Sequence, residues 1–333
     1  MKRVKKSGRY LLIGDLCIDI FMQVAAYPAA GGDGTVRGMH QHAGGSAANT
    51  AFVLANLGGQ PQLLTHTGVD IWAQQVLPML ETAGIGTRRV IQETGEATGL
   101  SFLVVSSDAE RTMFTYRGVN PYLHPDEIST DLFTGVDYLH ISSYACLQTP
   151  QSEAVRKAVQ LARTQNVAIS LDVGVEPAER AGEFLNELLP EIALLILSVP
   201  EALQITQTID VTAALSHLLQ SGVGVVALKM GKNGCRLVTR DRDLNIPGFS
   251  VEAVDTTGAG DSFCAGMIHG LTQGWDLDVT GRLANALGAL ATTRWGAGEM
   301  LPTLKEVTTF LRAINEFSSD PDLSRLVEKL TSA

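Results

Sequence analysis

The sequence predicts an α/β fold: a central, mostly parallel sheet flanked by helices, with a small β-sheet standing off it as a lid. Three observations carry this. From Asp137 to Lys229 short apolar runs alternate with longer helical ones, the rhythm of a parallel sheet covered on both faces. Upstream, between Thr98 and Arg117, that rhythm breaks into two β-rich runs joined by a turn-like tetrapeptide. Finally, 333 residues with 45% apolar side chains suffice for one large core with an insertion, and no interdomain linker, internal repeat or low-complexity tract divides them. The expected organisation is therefore a single domain over 1–333, with the lid formed by about 16–43 and 97–123.

The elements follow in order. Tyr10–Gly14 is a short apolar run ending in glycine, a buried first strand. Asp15 and Asp19 come after it, where ligands bind in open α/β sheets. Asp15 reads as a solvated loop carboxylate and Asp19 as a ligand contact. Residues 27–43 read as loop and short strand, with partial alternation over Thr35–His42. Gly44-Gly45-Ser46-Ala47-Ala48-Asn49 opens a helix of small residues reaching about Leu57, with Ser46 as its N-cap. Two glycines let a ligand approach the backbone, and the Asn49 amide both donates and accepts, which suits a polyol. A plain contact between helices of small residues would use the same composition.

Leu63–Thr67 is a second strand and Ile71–Ala83 a helix closed by Gly84. Thr98–Ser106 and Arg111–Arg117, joined by Ser107-Asp108-Ala109-Glu110, form a hairpin. Strands are then expected at Tyr138–Ile141, Val167–Leu171, Leu194–Leu197 and Val223–Lys229. The helices between and after them are Ser152–Gln165, Ala178–Leu188, Pro200–Thr206 and Val211–Ser221. A turn at Met230–Gly234 leads into two short strands ending at Ile246, and Phe249, Val251 and Val254 read as a further strand. Helices near Ala259–Thr272, Val279–Arg294, Leu304–Phe317 and Leu323–Leu330 complete the chain.

Charge narrows the partners. A net charge of −10, with no basic run after Lys2-Arg3-Lys5-Lys6, argues against nucleic acid. Tyr10–Ile13 is too short for a signal-peptide core, and the most apolar run, Ile192–Val199, is strand-sized, so no membrane span is expected. Cys17, Cys146, Cys235 and Cys264 lack metal or redox spacing and fit buried thiols in a reducing cytoplasm. His40 and His42 share a strand face without further ligands nearby in sequence, and read as surface histidines.

The most informative stretch is Asp255-Thr256-Thr257-Gly258-Ala259-Gly260-Asp261. A glycine turn entering a helix leaves the N–H groups of Gly258, Ala259 and Gly260 without intrahelical partners, facing incoming negative charge. Asp261 adds a carboxylate in the first helical turn. A base can take a proton from a hydroxyl there while the hole stabilises developing charge. By itself, the stretch reads more simply as a capped helix.

Other phosphate motifs are absent. Gly231-Lys232-Asn233 lacks the upstream glycine and hydroxyl residue of a P-loop, and Gly258-x-Gly260-x-x-Phe263 lacks the last glycine of a dinucleotide fingerprint. Neither a G-x-S-x-G elbow nor an H-E-x-x-H motif occurs.

Taken together, Gly44–Asn49 resembles the first signature of the ribokinase-like (PfkB) carbohydrate kinases, and Asp255–Asp261 matches their second along its length. The resemblance spans Tyr10 to about Thr303. It implies transfer of the ATP γ-phosphoryl group to a hydroxyl of a sugar or nucleoside. It also implies that Asp261 is the base and that Gly258, Ala259 and Gly260 are the anion hole. Asp19, Gly44, Gly45 and Asn49 would hold the sugar. Lys229, Gly231 and Gly234 would form the nucleotide-binding turn, with Asn285 and Gly288 on the helix lining the adenine pocket. Glu201 would bind Mg²⁺ through water, and Asp255, Thr257 and Gly296 lie where the family binds a monovalent cation such as K⁺.

Two departures matter. The family's Asn-x-x-Glu is Ser198-Val199-Pro200-Glu201 here, and a shorter side chain replaces Asn. Asp172-Val173-Gly174-Val175-Glu176 lacks the Asn and nearby Arg seen in many sugar-kinase members, which reads against an acidic sugar. A neutral-sugar kinase is thus expected. A nucleoside kinase and a silent sugar-binding protein are the alternatives. Few rings in the lid region (Phe102, Phe114, Tyr116, Tyr122) would stack on a base, and an intact Asp261 argues against a mere binder. Exposed lid edges, and the resemblance, further suggest a homodimer.

Overall fold

The structure is a computed structural model, which describes residues 7–106, 111–316 and 320–331. In chain order its elements are β1 (Arg9–Ile13), β2 (Cys17–Val24), β3 (Val36–Gly44), α1 (Ser46–Asn56), β4 (Gln60–Gly68), α2 (Ile71–Thr82), β5 (Val90–Glu93), β6 (Gly99–Val105) and β7 (Arg111–Tyr116). The alternating region follows: β8 (Tyr138–Ser142), α3 (Gln151–Thr164), β9 (Ala168–Asp172), α4 (Val175–Arg180), α5 (Gly182–Leu188), β10 (Leu194–Ser198), α6 (Val199–Thr206), α7 (Val211–Gln220) and β11 (Val225–Lys229). Last come β12 (Cys235–Val238), β13 (Asp243–Ile246), α8 (Ala259–Thr272), α9 (Leu277–Ala291), α10 (Leu304–Asn315) and α11 (Pro321–Thr331).

Nine strands form one sheet in the order β13-β12-β11-β10-β9-β8-β1-β4-β5. From β11 through β5 every neighbouring pair is parallel; β12 and β13 add an antiparallel edge. Side-chain alternation divides the core between the two faces. Leu12, Leu63, Ile196 and Ala227 pack under α1, α8, α9, α10 and α11. Leu11, Ile13, Leu139, Ile141, Leu195 and Leu197 pack under α3, α5, α6 and α7. Strands buried on both faces must be apolar at nearly every position, which is why they were legible as continuous runs.

A second sheet has the order β3-β2-β6-β7. Its central strand, β2, lies in the Asp15–Val24 segment, where the sequence reading placed a solvated Asp15 and a ligand-contacting Asp19 but no strand. β2 pairs antiparallel with β3 and parallel with β6. The two β-rich runs at 98–106 and 111–117 do pair antiparallel as β6 and β7; their joining tetrapeptide, Ser107–Glu110, lies outside the described residues. The edge strand β5 also went unrecognised.

Two further expectations are corrected. Phe249, Val251 and Val254 form no strand: the chain from Pro247 to Asp255 is irregular. Beyond β13 the sheet has ended, Pro247 and Gly248 interrupt the run, and Val254 and Asp255 donate their N–H groups to Thr292 O instead, at 2.7 and 3.1 Å. The expected helix Ala178–Leu188 is two short ones, α4 and α5, meeting at Ala181.

The crossings between the sheets are held by two polar side chains. Asn120, fully buried, accepts from Leu16 N (2.8 Å) and donates to Leu16 O (3.0 Å) and Arg117 O (2.9 Å), and Thr65 Oγ1 donates to it at 3.1 Å. Asp70, which caps α2, also accepts from Thr98 N and Oγ1 at 2.7 and 2.8 Å. Stranding buried backbone groups costs about 1–3 kcal/mol each. Asn120→Ala is therefore expected to lower unfolding free energy by about 2–4 kcal/mol. Urea denaturation checks this, and an unchanged midpoint would refute the clamp.

Candidate active site

The C-terminal ends of the parallel strands gather the charged side chains. Asp15 follows β1, Asp172 ends β9, Ser198 ends β10 and Lys229 ends β11. The order reverses at β1, which lies between β8 and β4, so the crevice sits where ligands bind in such sheets.

Above this edge, α8 begins at Gly258. Its φ of 73° is left-handed, which a residue without Cβ adopts without strain. The Gly260 Cβ position meets Lys229 Nζ at 3.6 Å and no other heavy atom within 4 Å, so the helix N-terminus is open to a ligand. Asp261 follows, half-buried. Ser46 Oγ donates to its Oδ1 and Asn49 Nδ2 to its Oδ2, both at 2.8 Å. Asn49 Oδ1 in turn accepts from Gly298 N at 3.0 Å. Ser46 is therefore not the N-cap expected from sequence. It is the first helical residue of α1, its hydroxyl spent on Asp261, while Gly45 occupies the cap with φ 97°. A Cβ on Gly45 would lie 2.2 Å from Asp15 O, and one on Gly44 would collide with the Asp19 carboxylate at 2.1 Å. These two glycines are what allow the chain to fold α1 against both acids.

Burial, and next the charge of Asp172, push the Asp261 carboxyl up to about 6; Asn49, Ser46 and Lys229 pull it back. Lys229 Nζ lies 2.8 Å from Asp172 Oδ1. Burial opposes its charge, but Asp172 outweighs that and holds the ammonium firmly protonated. Glu201, buried near the start of α6, accepts from the Ser198 N–H, and burial pushes its carboxyl up. Asp15, expected to be solvated, is instead buried, and Arg117 Nε and Nη2 grip its two oxygens at 2.7 Å. An exposed carboxylate could not have stayed so near the sheet; this one is neutralised. Tyr144 is pushed up to about 12 by burial and by Glu176, Asp261, Asp172 and Asp15, which marks it as the ring among these acids.

The remaining candidates fall around this centre. Asp255 is 6% exposed; its Oδ1 accepts from Thr257 N and Oγ1 at 3.0 and 2.7 Å, and its Oδ2 from Gly296 N at 3.2 Å. The structure thus brings these three together. Asn285 Nδ2 donates to the Ile246 and Pro247 carbonyls, tying α9 to the end of β13. Gly288 lets α9 approach α8, with its Cβ position 3.3 Å from Ala259 O. Gly231 and Gly234 both have positive φ, and Gly231 faces open space. His42 is not a plain surface residue: its Nδ1 lies 2.8 Å from Glu299 Oε1. Among the described residues no cluster of three His, Cys, Asp or Glu side chains could hold a metal, and no helix is long and apolar enough to cross a membrane.

Sequence reading missed Arg117, Glu299 and Gly298, whose partners lie far along the chain. It met Asp172 only as a departure; its place at the end of a strand was the available signal.

A carboxylate clamped beside an open helix N-terminus, at the switch point of a parallel sheet, is the apparatus of a phosphotransferase with an alcohol acceptor. The comparisons agree. The family model "pfkB family carbohydrate kinase" matches residues 9–304. The chain belongs to that family of sugar kinases. It is 33% identical to the ATP-dependent ribose-1-phosphate kinase of Halopiger xanaduensis, over 91% of this chain and 98% of that one. It is 28% identical to a fructokinase of Solanum tuberosum, over 92% and 96%. A solved fructokinase from Xylella fastidiosa with bound ATP has the same fold, with a TM-score of 0.81 at 23% identity, over 93% of this chain and all (100%) of that one.

If Asp261 is the base that the sequence suggests, it must be ionised to act, and activity should rise with pH through about 6 and then level. Asp172→Asn removes the charge that raises Asp261 and leaves Lys229 to pull it down. The acid limb of kcat/KM should then move to lower pH, by about half a unit or more. A limb that stays put would show that Asp172 does not act on the base.

Proposed function

We propose that this chain transfers the γ-phosphoryl group of ATP to a hydroxyl of a neutral sugar or polyol. The observation that carries the reading is Asp261, held by Ser46 and Asn49 at the open start of α8 with Asp19 and Gly44 on the neighbouring strands. The sugar lies against Asp19, Gly44, Gly45 and Asn49. Asp261 takes the proton of the acceptor hydroxyl, and the freed oxygen pair forms the bond to γ-phosphorus as the bond to the ADP oxygen breaks. The N–H groups of Gly258, Ala259 and Gly260 hold the charge that spreads over the equatorial oxygens. Lys229, Gly231 and Gly234 flank the nucleotide, with Asn285 and Gly288 on the helix behind it. The neutral character of the acceptor is supported by Arg117, whose Nε and Nη2 are engaged by Asp15 and, for Nη2, also by Gln151 Oε1 at 2.8 Å.

Glu201 would reach Mg²⁺ through water, since that ion keeps several of its own waters and is bound through one or two carboxylates. Bound there, Mg²⁺ would neutralise phosphate charge. Asp255, Thr257 and Gly296, which lie together, would hold a monovalent cation such as K⁺, with the buried Asp255 carboxylate supplying the charge. The β3–β2–β6–β7 sheet is the lid that excludes water from transfer. Its outer strands expose Val36, Met39, Met113, Phe114 and Tyr116, which supports a homodimer through the lid. Four buried free thiols are compatible with a reducing cytoplasm.

ADP release against a panel of neutral sugars, sugar phosphates and nucleosides tests the reading. A neutral sugar is expected to give the highest kcat/KM, and no release with any compound would favour a silent binder. Asp261→Asn should cut turnover by about a hundredfold or more while sugar and ATP affinities hold. Light scattering at micromolar protein should show a dimer for the wild type, and a monomer for Phe114→Asp; a wild-type monomer would remove the lid interface.

A further inference from the structure

Glu299 makes a contact with the small sheet that stability does not explain. Its Oε1 lies 2.8 Å from His42 Nδ1, and its Oε2 accepts from Ala43 N at 3.3 Å. Burial works against the Glu299 charge, but His42 and the N–H groups of Glu299 and Ala43 outweigh it and hold the carboxyl below its ordinary range. An ionised carboxylate only accepts, so His42 Nδ1 carries the hydrogen. The Glu299 side chain is still 38% exposed, and pairs so exposed add little to stability. Yet the loop that presents Glu299 is shaped to β3. Gly296 and Gly298 have left-handed φ angles of 103° and 55°. A Cβ on Gly296 would lie 3.0 Å from the His42 ring, and one on Gly298 would lie 2.4 Å from Ala43 O.

The contact stands between the two ends of the site. On one side, His42 is directly opposite Asp19 in the β2–β3 register, and its ring meets Phe21 of β2 edge-on, 5.7 Å between centroids. Gly44, which closes on the Asp19 carboxylate, follows two residues along β3. On the other side, the same loop is fastened to α1. Gly298 N donates to Asn49 Oδ1, and Asn56 Nδ2 donates to Leu301 O at 3.2 Å. Asn49 is the residue whose amide donates to Asp261. Loop 296–301 therefore touches both the strand opposite Asp19 and the helix that clamps the carboxylate.

We propose that Glu299 is a positioning residue for the acceptor: through His42 and Ala43 it seats β3 on loop 296–301, and so keeps Asp19 and Gly44 in register with Asp261. It touches neither the acceptor nor the nucleotide. Its effect is on the distance between the residues that hold the sugar and the carboxylate that takes its proton. Such registration matters because a misplacement of about 1 Å can cost about a hundredfold in rate. The inference rests on the sugar-kinase reading above, and adds to it the contact that sets one end of the site against the other.

The test is initial-rate kinetics with ATP, Mg²⁺ and the neutral sugar that the wild type phosphorylates best. The variants are Glu299→Ala, His42→Ala, His42→Asn and the double variant Glu299→Ala/His42→Ala. Both single alanine variants are expected to lose about tenfold or more in kcat/KM for the sugar. The KM for ATP should stay within about twofold, because the contact lies at the acceptor end. Asparagine places its Nδ2 where His42 Nδ1 stood but lacks the ring, so His42→Asn should recover to within about threefold of wild type. The double variant should lose no more than Glu299→Ala alone, since both substitutions break one contact. Unchanged kcat/KM for the sugar in the alanine variants overturns the role of Glu299. So does a joint rise of the sugar and ATP KM values, which marks a loosened fold. Losses that multiply in the double variant, or no recovery with His42→Asn, overturn it as well. In each of these cases the wild type still phosphorylates its sugar, and the kinase reading stands. If the wild type phosphorylates no sugar, that reading falls and the inference falls with it.

Discussion

The structure turns on the hydrogen bonds that hold Asp261. Its two carboxylate oxygens receive Ser46 and Asn49 from α1, and the other end of the Asn49 amide receives Gly298 N. Three segments, distant in sequence, are thereby fixed on one side chain. A carboxylate accepting two donors has its lone pairs aimed, and an amide tied at both ends cannot flip. The start of α8 is thus oriented by α1, and α1 is seated by the two glycines that let it close on Asp15 and Asp19. Loss of this clasp would leave the helix N-terminus in place but the base unaimed.

Around the clasp, acidic charge is managed in pairs. Asp15 is neutralised by Arg117, and Asp172 by Lys229. Asp261 has no such full partner and sits in burial beside Asp172, which raises it to about 6. The result separates roles among chemically similar carboxylates. Two are held in ion pairs, and the third has its carboxyl raised toward neutrality by burial and by Asp172.

The crossings between the sheets share residues with the site. Arg117, on the crossing from the small sheet, binds Asp15, and Asn120 three residues later binds Leu16 on the opposite crossing. His42 on β3 meets Glu299, one residue from the Gly298 that Asn49 holds. The small sheet is therefore joined to the residues around Asp261 through short, direct contacts.

Much of this was legible in sequence. Continuous apolar runs marked the parallel strands, because burial on both faces leaves no room for polar positions. The glycine turn and Asp261 were readable because close backbone approach and a helix N-terminus are local properties. What the tertiary structure decided was everything depending on who stands opposite. β2 alternates too weakly to reveal a strand that pairs on both sides. Phe249–Val254 has strand composition but pairs with no strand. Asp15 became a buried ion pair because Arg117 lies a hundred residues away in sequence (102 positions) and folds against it. Ser46 is the first helical residue rather than the cap, and its hydroxyl donates to Asp261, far along the chain. Local sequence determines which backbone forms and which chemistry is available; long-range pairing determines which charges are neutralised and which one remains to react.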